Sequence, residues 1–295
     1  MTRLATLCAA GAIACGAWLS AQQLPSEPRR QFGAGITGAF EGWFPNADGT
    51  RSFLVGYLNR NTTQVLDVPV GPNNRIEPGG PDLGQPTHFL TGRRYGMFVV
   101  PVPKDFTPGQ RSDQHPDQQL TWTIVANGQS TSIPLRLNPD YVVSPFSEIA
   151  ANNTPPVLQF ERIEPAIQGP IASLVTALTR TATVSTPLAL TLRASDDEKY
   201  TSGTNAPQRN PPPPVRLTWS KFRGPGAVTF DRTNPPVEKV PGGPAPFTGT
   251  STVTVRFEKP GDYVLHVTAN DYSGDGGGGF QCCWTTALVK VAVAP

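Results

Sequence analysis

Three runs near the end of the chain alternate apolar and polar residues. They carry Val253, Val255 and Phe257, then Tyr263, Leu265, Val267 and Ala269, then Leu288, Val289, Val291 and Val293. A period of two is that of a strand with one buried face, so these runs predict three consecutive strands and the closing half of a β-sandwich. A tight corner joins the first two, and a long loop over 270–281 joins the last two. The same reading predicts strands over 39–44, 52–58, 64–70, 95–102, 119–126 and 130–137, with Asp48-Gly49 and Asn127-Gly128 as hairpin turns and 71–86 as a long glycine- and proline-bearing loop. Ile171, Leu174, Val175 and Leu178 keep helical spacing, so a short helix is expected before the strand that carries Leu188, Leu190 and Leu192.

Lys259-Pro260-Gly261-Asp262-Tyr263 followed by VLHVTAND resembles the corner and penultimate strand of a PKD-type, immunoglobulin-like domain. The resemblance implies that Tyr263 caps the corner and that Leu265 points into the core, where antibody domains place a cysteine. It also implies that Trp219, within Val215-Arg216-Leu217-Thr218-Trp219, is the core tryptophan of an earlier strand. The first half resembles an immunoglobulin-type sandwich only generically. The expected fold is all-β: two tandem immunoglobulin-like β-sandwich domains, at 32–137 and 157–295, with a linker over 138–156. Such sandwiches host adhesion, sugar binding and plain spacing alike, so the fold names no activity.

Composition agrees with strands and ordered loops. The 33 prolines and 29 glycines make up about a fifth of 295 residues, too many for long helices. Residues 1–21 carry Arg3 and then an apolar run ending at Leu19-Ser20-Ala21, the pattern of a signal peptide, with a disordered lead over 22–31. An alternative takes Cys15 as a lipidated residue of a lipoprotein. The expected location is secreted, periplasmic or cell-surface, with no transmembrane segment. Removing the leader leaves 23 basic against 22 acidic residues, a balance that does not point to nucleic acid. Arg93-Arg94 is expected on solvated surface.

Candidate chemistry gathers where two loops leave one pole of the second sandwich. Asp196, Asp197 and Glu198 in one loop, with Asp271 and Asp275 in the other, could converge on calcium, which takes several hard oxygen ligands; the plainer role is that they start turns. Tyr272, Phe280 and Trp284 could form a stacking surface for a sugar or an apolar partner group, core filling being the other role for Trp284. Cys282 and Cys283 are adjacent and form a vicinal disulfide, stay as free or intermolecular thiols, or hold a soft metal. His88, His115 and His266 have no zinc-pair spacing, and His266 is expected to face solvent from the outer side of its strand. No catalytic motif is present, so the expected function is non-enzymatic binding or adhesion to a glycan or protein partner through that loop pole. The alternative is a structural spacer or assembly subunit.

Overall fold

The computed structural model describes residues 30–106, 119–148, 152–161, 164–199, 213–243, 245–271 and 282–295. The expected leader, most of the expected lead, His115, Tyr272, Asp275, Phe280 and most of the loop before Val215 lie outside the described residues. In chain order the first half contains β1 (Ile36–Pro45), β2 (Arg51–Asn59), β3 (Leu66–Asp67), β4 (Asn74–Glu77), β5 (His88–Phe89), β6 (Gly92–Pro101), β7 (Gln119–Ala126) and β8 (Gln129–Arg136). Strands β1-β2-β6 form one antiparallel sheet and β4-β7-β8 the other, with β3-β5 as a small extra ladder. The inner faces interlock through aromatic rings, Tyr57 on Phe89 at 5.0 Å and Phe98 on Trp122 at 5.4 Å, both edge to face.

One expectation for this half is corrected. The stretch 71–86 is not a continuous loop, because β4 pairs with β7 inside it. Asn74 explains why the segment is held there. Fully buried, its side chain accepts from Trp122 Nε1 at 2.9 Å and donates to the carbonyls of Val68 at 2.9 Å and Pro86 at 2.8 Å. A buried amide satisfied on both ends fixes three chain segments together.

The second half contains β9 (Val157–Gln159), β10 (Ile167–Gln168), β11 (Leu178–Thr183), β12 (Leu188–Asp196), β13 (Arg216–Arg223), β14 (Val228–Phe230), β15 (Glu238–Lys239), β16 (Phe247–Phe257), β17 (Gly261–Asn270) and β18 (Trp284–Ala294). One sheet runs β10-β9-β12-β16-β14 with β15 also on β16, and the facing sheet runs β11-β18-β17-β13. The first edge is shared between the layers: β9 pairs with β12, whereas β11 crosses over and runs parallel to β18. This is the immunoglobulin-like arrangement. Tyr263 Oη donates to the Lys259 carbonyl at 2.8 Å, and Leu265, two residues on, is fully buried. Trp219 lies in the same core, edge-on to Phe160 at 6.0 Å.

No helix forms over residues 171–178, and the reason lies between the two sandwiches. The Val99 amide of β6 donates to the Ala172 carbonyl at 2.9 Å, the Ala172 amide donates to Thr286 Oγ1 at 3.1 Å, and the Thr286 amide donates to the Gly169 carbonyl at 3.2 Å. Residues 169–172 are therefore a spacer that turns at Gly169 and is bonded to both halves, and the Ala172 amide and carbonyl that a helix would use internally are taken by those bonds. Around the spacer Phe222, Val264 and Leu288 join the apolar cluster of the first half. Polar ties complete the junction: Arg223 pairs with Asp82 through two contacts of 2.8 and 2.9 Å, and Lys221 Nζ lies 3.1 Å from Asp67 Oδ1.

Candidate functional site

At the loop pole the carboxylates hold the incoming chain. Asp196 ends β12 and is 6% exposed; its Oδ1 accepts from the Glu198 amide at 2.8 Å, while its Oδ2 has no hydrogen-bond partner. Burial, reinforced by the nearby Asp271, Asp197 and Glu198 carboxylates, pushes the Asp196 carboxyl up to about 7. Asp271 accepts from Asn153 Nδ2 at 2.7 Å, and Asp197 accepts from the Thr154 amide at 3.1 Å and its hydroxyl at 2.9 Å. The segment 152–156 is thus fastened across the pole. Asp196 and Asp271 are brought within electrostatic reach, yet among the described residues no three His, Cys, Asp or Glu side chains gather as a metal site.

Cys282 and Cys283 form a disulfide across a cis peptide bond. Both are buried, and the Cys283 carbonyl accepts from the Asp271 amide at 3.3 Å, which ties the start of β18 to the end of β17.

Trp284, the first residue of β18, lies on the outer face of its sheet, where the first sandwich covers it. It packs with Phe44, Leu54 and Val99 and is 2% exposed. Close approach is possible because residue 96 is glycine at φ +47°: a Cβ there would lie 2.5 Å from Trp284 Cζ2 and 2.9 Å from Nε1. Core filling is therefore the role its packing serves, with the core built from both halves.

Beside Trp284 the two sandwiches enclose a cleft of about 510 Å³. Its floor is the outer face of β13, β17 and β18, where Ser220 opposes His266, Thr218 opposes Thr268, and Arg216 opposes Asn270. Its roof is the segment leading through β6, with Arg93, Arg94, Tyr95 and Met97. No Asp or Glu is among the described lining residues. Arg93 is engaged by Glu41, whose Oε1 lies 2.7 Å from Nη2, and the guanidinium stacks 4.3 Å over the Tyr95 ring. Arg94 Nη2 donates to the Thr91 carbonyl at 3.2 Å, but its Nε is buried without a partner.

His266 corrects the expectation of exposure. It projects from the outer face as its place between Leu265 and Val267 requires, but it is 1% exposed and stacks on Phe222 at 5.9 Å. Burial, with a smaller push from Arg94, lowers its pKa to about 4, against a hydrogen bond to the Met97 backbone. The ring is neutral at physiological pH. Its Nε2 has no partner, and Trp284 Nε1 has none either. The Arg93-Arg94 pair is corrected in the same way, since both side chains are partly buried in this junction.

No family model matches this chain, and no curated protein matches it. Among solved structures it is similar to domains 4 and 5 of the S-layer protein SbsC (11% identity, 89% of this chain and 98% of that one, TM-score 0.22) and to the D00-D0 domain of intimin (13%, 87% and 99%, 0.24). It is also similar to an endo-fucoidan hydrolase of glycoside hydrolase family 107 (14%, 91% and 30%, 0.24). At these values nothing about the partner or activity of this chain follows from them. No described helix is long and apolar enough to cross a membrane.

Proposed function

We propose that the chain is an exported, non-enzymatic binding protein that recognises a glycan or protein partner at the junction of its two sandwiches and the adjoining loop pole. The observation that supports this is the cleft: a concave, polar-lined space of ligand size between the outer face of β13, β17 and β18 and the segment leading through β6. Export rests on the leader pattern at 1–21, and the disulfide suits an oxidising compartment. The test is binding of the full mature chain to arrayed glycans and envelope proteins, compared with Thr268→Trp, which fills the cleft from its floor. Binding lost in Thr268→Trp with unchanged circular dichroism supports the reading; equal binding by both proteins refutes the cleft as the site.

The assembly-subunit reading draws on a different observation. Tyr141, Val142 and Phe146 are exposed beside β1, where Tyr141 meets Phe40 and Phe146 meets Phe44. Concentration-dependent self-association abolished by Tyr141→Asp would favour it.

A further inference from the structure

A second cavity, of about 410 Å³, opens in the first sandwich where β1 parts from β8. The two strands belong to different sheets and touch near their starts, where Thr131 Oγ1 donates to the Ile36 carbonyl at 2.6 Å. Farther along, β8 carries Pro134, which has no amide to extend that contact, and β1 bulges between Phe40 and Gly42. Residues 138–143 close the far end: Trp43 Nε1 donates to the Asn138 carbonyl at 2.7 Å, and the Val143 amide donates to the Trp43 carbonyl at 2.9 Å. Gly42, at φ +123°, lets this segment lie against β1, since a Cβ there would stand 2.6 Å from the Tyr141 carbonyl oxygen. The walls are thus fixed by the backbone before any ligand arrives, which lowers the ordering cost of binding.

The lining combines three kinds of accessible group. Phe40, Pro134 and Val142 supply apolar wall, and Tyr141 stands edge to face with Phe40 at 5.7 Å while remaining 47% exposed. Asp140 is exposed and Arg136 partly exposed, and both line the cavity. Arg136 Nε donates to Gln119 Oε1 at 3.1 Å, which holds the guanidinium in place, and among the described residues no ion pair joins it to Asp140. The Glu41 carboxylate is already engaged by Arg93 at 2.7 Å and by the Gly96 amide at 2.8 Å. The cavity therefore presents one donor-only group, one acceptor-only group and a half-exposed aromatic ring. From this juxtaposition we infer that it binds a neutral saccharide of about one or two rings, with an apolar ring face against Tyr141 and neighbouring hydroxyls shared between Arg136 and Asp140. A hydroxyl both donates and accepts, so two adjacent ones answer both charged groups at once, while the C–H face of the sugar covers the aromatic ring. A charged or zwitterionic ligand gains little beyond this, because water screens ion pairs formed at exposed groups. The volume agrees, since small-molecule sites run from about 300 to 1,000 Å³.

This cavity shares no lining residue with the junction cleft, so the two sites fail or stand separately. The full mature chain is titrated calorimetrically with maltose, cellobiose, lactose, chitobiose and mannobiose, with leucine as a zwitterion and with glucuronate as an acidic sugar. At least one neutral disaccharide is expected to bind about tenfold or more tightly than leucine and glucuronate. Tyr141→Ala and Asp140→Ala should each weaken it about tenfold or more, with the thermal midpoint close to the parent's, whereas Tyr141→Phe, which keeps the ring, should stay within about threefold. Thr268→Trp, which fills the junction cleft, should bind like the parent. No disaccharide binding to the parent overturns the inference, and so does binding that survives both alanine variants. Disaccharide binding lost in Thr268→Trp and kept in both alanine variants places the saccharide in the junction cleft, which overturns this site and leaves that reading standing. Leucine or glucuronate binding as tightly as the best disaccharide overturns the ligand class, and a loss in Tyr141→Phe equal to that in Tyr141→Ala overturns the stacking. Where Tyr141→Ala fails to fold, Asp140→Ala decides.

Discussion

Replacing Asp196 by Asn should stabilise the protein at alkaline pH and do little at acid pH. Asp196 is buried at the end of β12 with Asp271, Asp197 and Glu198 around it, and its carboxyl is raised from 3.8 to about 7. Because the folded-state pKa lies above the unfolded-state value, folding takes up a proton between roughly pH 4 and 7, and stability falls as pH rises through that window. At about 1.4 kcal/mol per pKa unit, ionised Asp196 costs about 4 kcal/mol at pH 8 and about 0.5 kcal/mol at pH 4. Asn keeps the oxygen that accepts from the Glu198 amide and replaces the unpartnered Oδ2 with a neutral donor near the Asp271, Asp197 and Glu198 carboxylates. Urea denaturation of parent and Asp196→Asn in chelator at pH 4, 6 and 8 measures this directly. The gain should grow with pH toward about 4 kcal/mol, and a variant less stable than the parent at pH 8 refutes the reasoning. Repeating the pH 8 measurement with calcium tests the cation proposal for Asp196, Asp197, Glu198, Asp271 and Asp275. Calcium stabilising the parent but not Asp196→Asn supports that site, and no effect on either removes it.

His266 works in the opposite direction: its pKa is lowered from 6.5 to about 4, so it contributes stability above pH 6.5 that is lost as pH falls toward 4. The Asp196→Asn variant should therefore lose stability on acidification more steeply than the parent, read from the same urea series. Gly96→Ala places a methyl against the Trp284 indole at positive φ and should destabilise by about 1–3 kcal/mol, measured by denaturant midpoint, with Trp219→Ala costing about 3–5 kcal/mol in the core of the second sandwich. A fragment of residues 155–295 is proposed to fold, because that core is its own, but to self-associate through exposed Phe222, Val264 and Leu288; monomeric behaviour in ultracentrifugation would count against the junction. Exported protein should begin near Gln22, and N-terminal analysis that finds Met1, or lipid on Cys15, contradicts the leader reading.

What was legible in the sequence follows the period of each strand. The inner faces of β16, β17 and β18 could be read because alternation of Val, Leu and Phe with polar residues reports burial on one side. Tyr263 and Trp219 could be placed because a corner and a core ring are local features of one domain. Short ladders such as β4 escaped detection, since four residues beside prolines and glycines show no period, and Asn74 holds them through contacts distant in sequence.

The outer face of β13, β17 and β18 marks where single-domain reasoning stops. Strand alternation correctly sent His266 outward, but outward from one sandwich is inward to the junction. The signal for that was present: Val264 and Leu288 share the outer face with His266, and Trp284 is also there. A sheet facing water would carry charged residues at such positions, as β18 does at Lys290 beyond the covered zone. An apolar outer face on one domain requires a cover, and the first half supplies it through Val99, Phe98 and the glycine at residue 96. The same cover stops short at Arg94 and leaves the cleft open. Docking the two sandwiches thus buries the apolar part of the face and encloses its polar part, so the forces that stabilise the junction also make its candidate site.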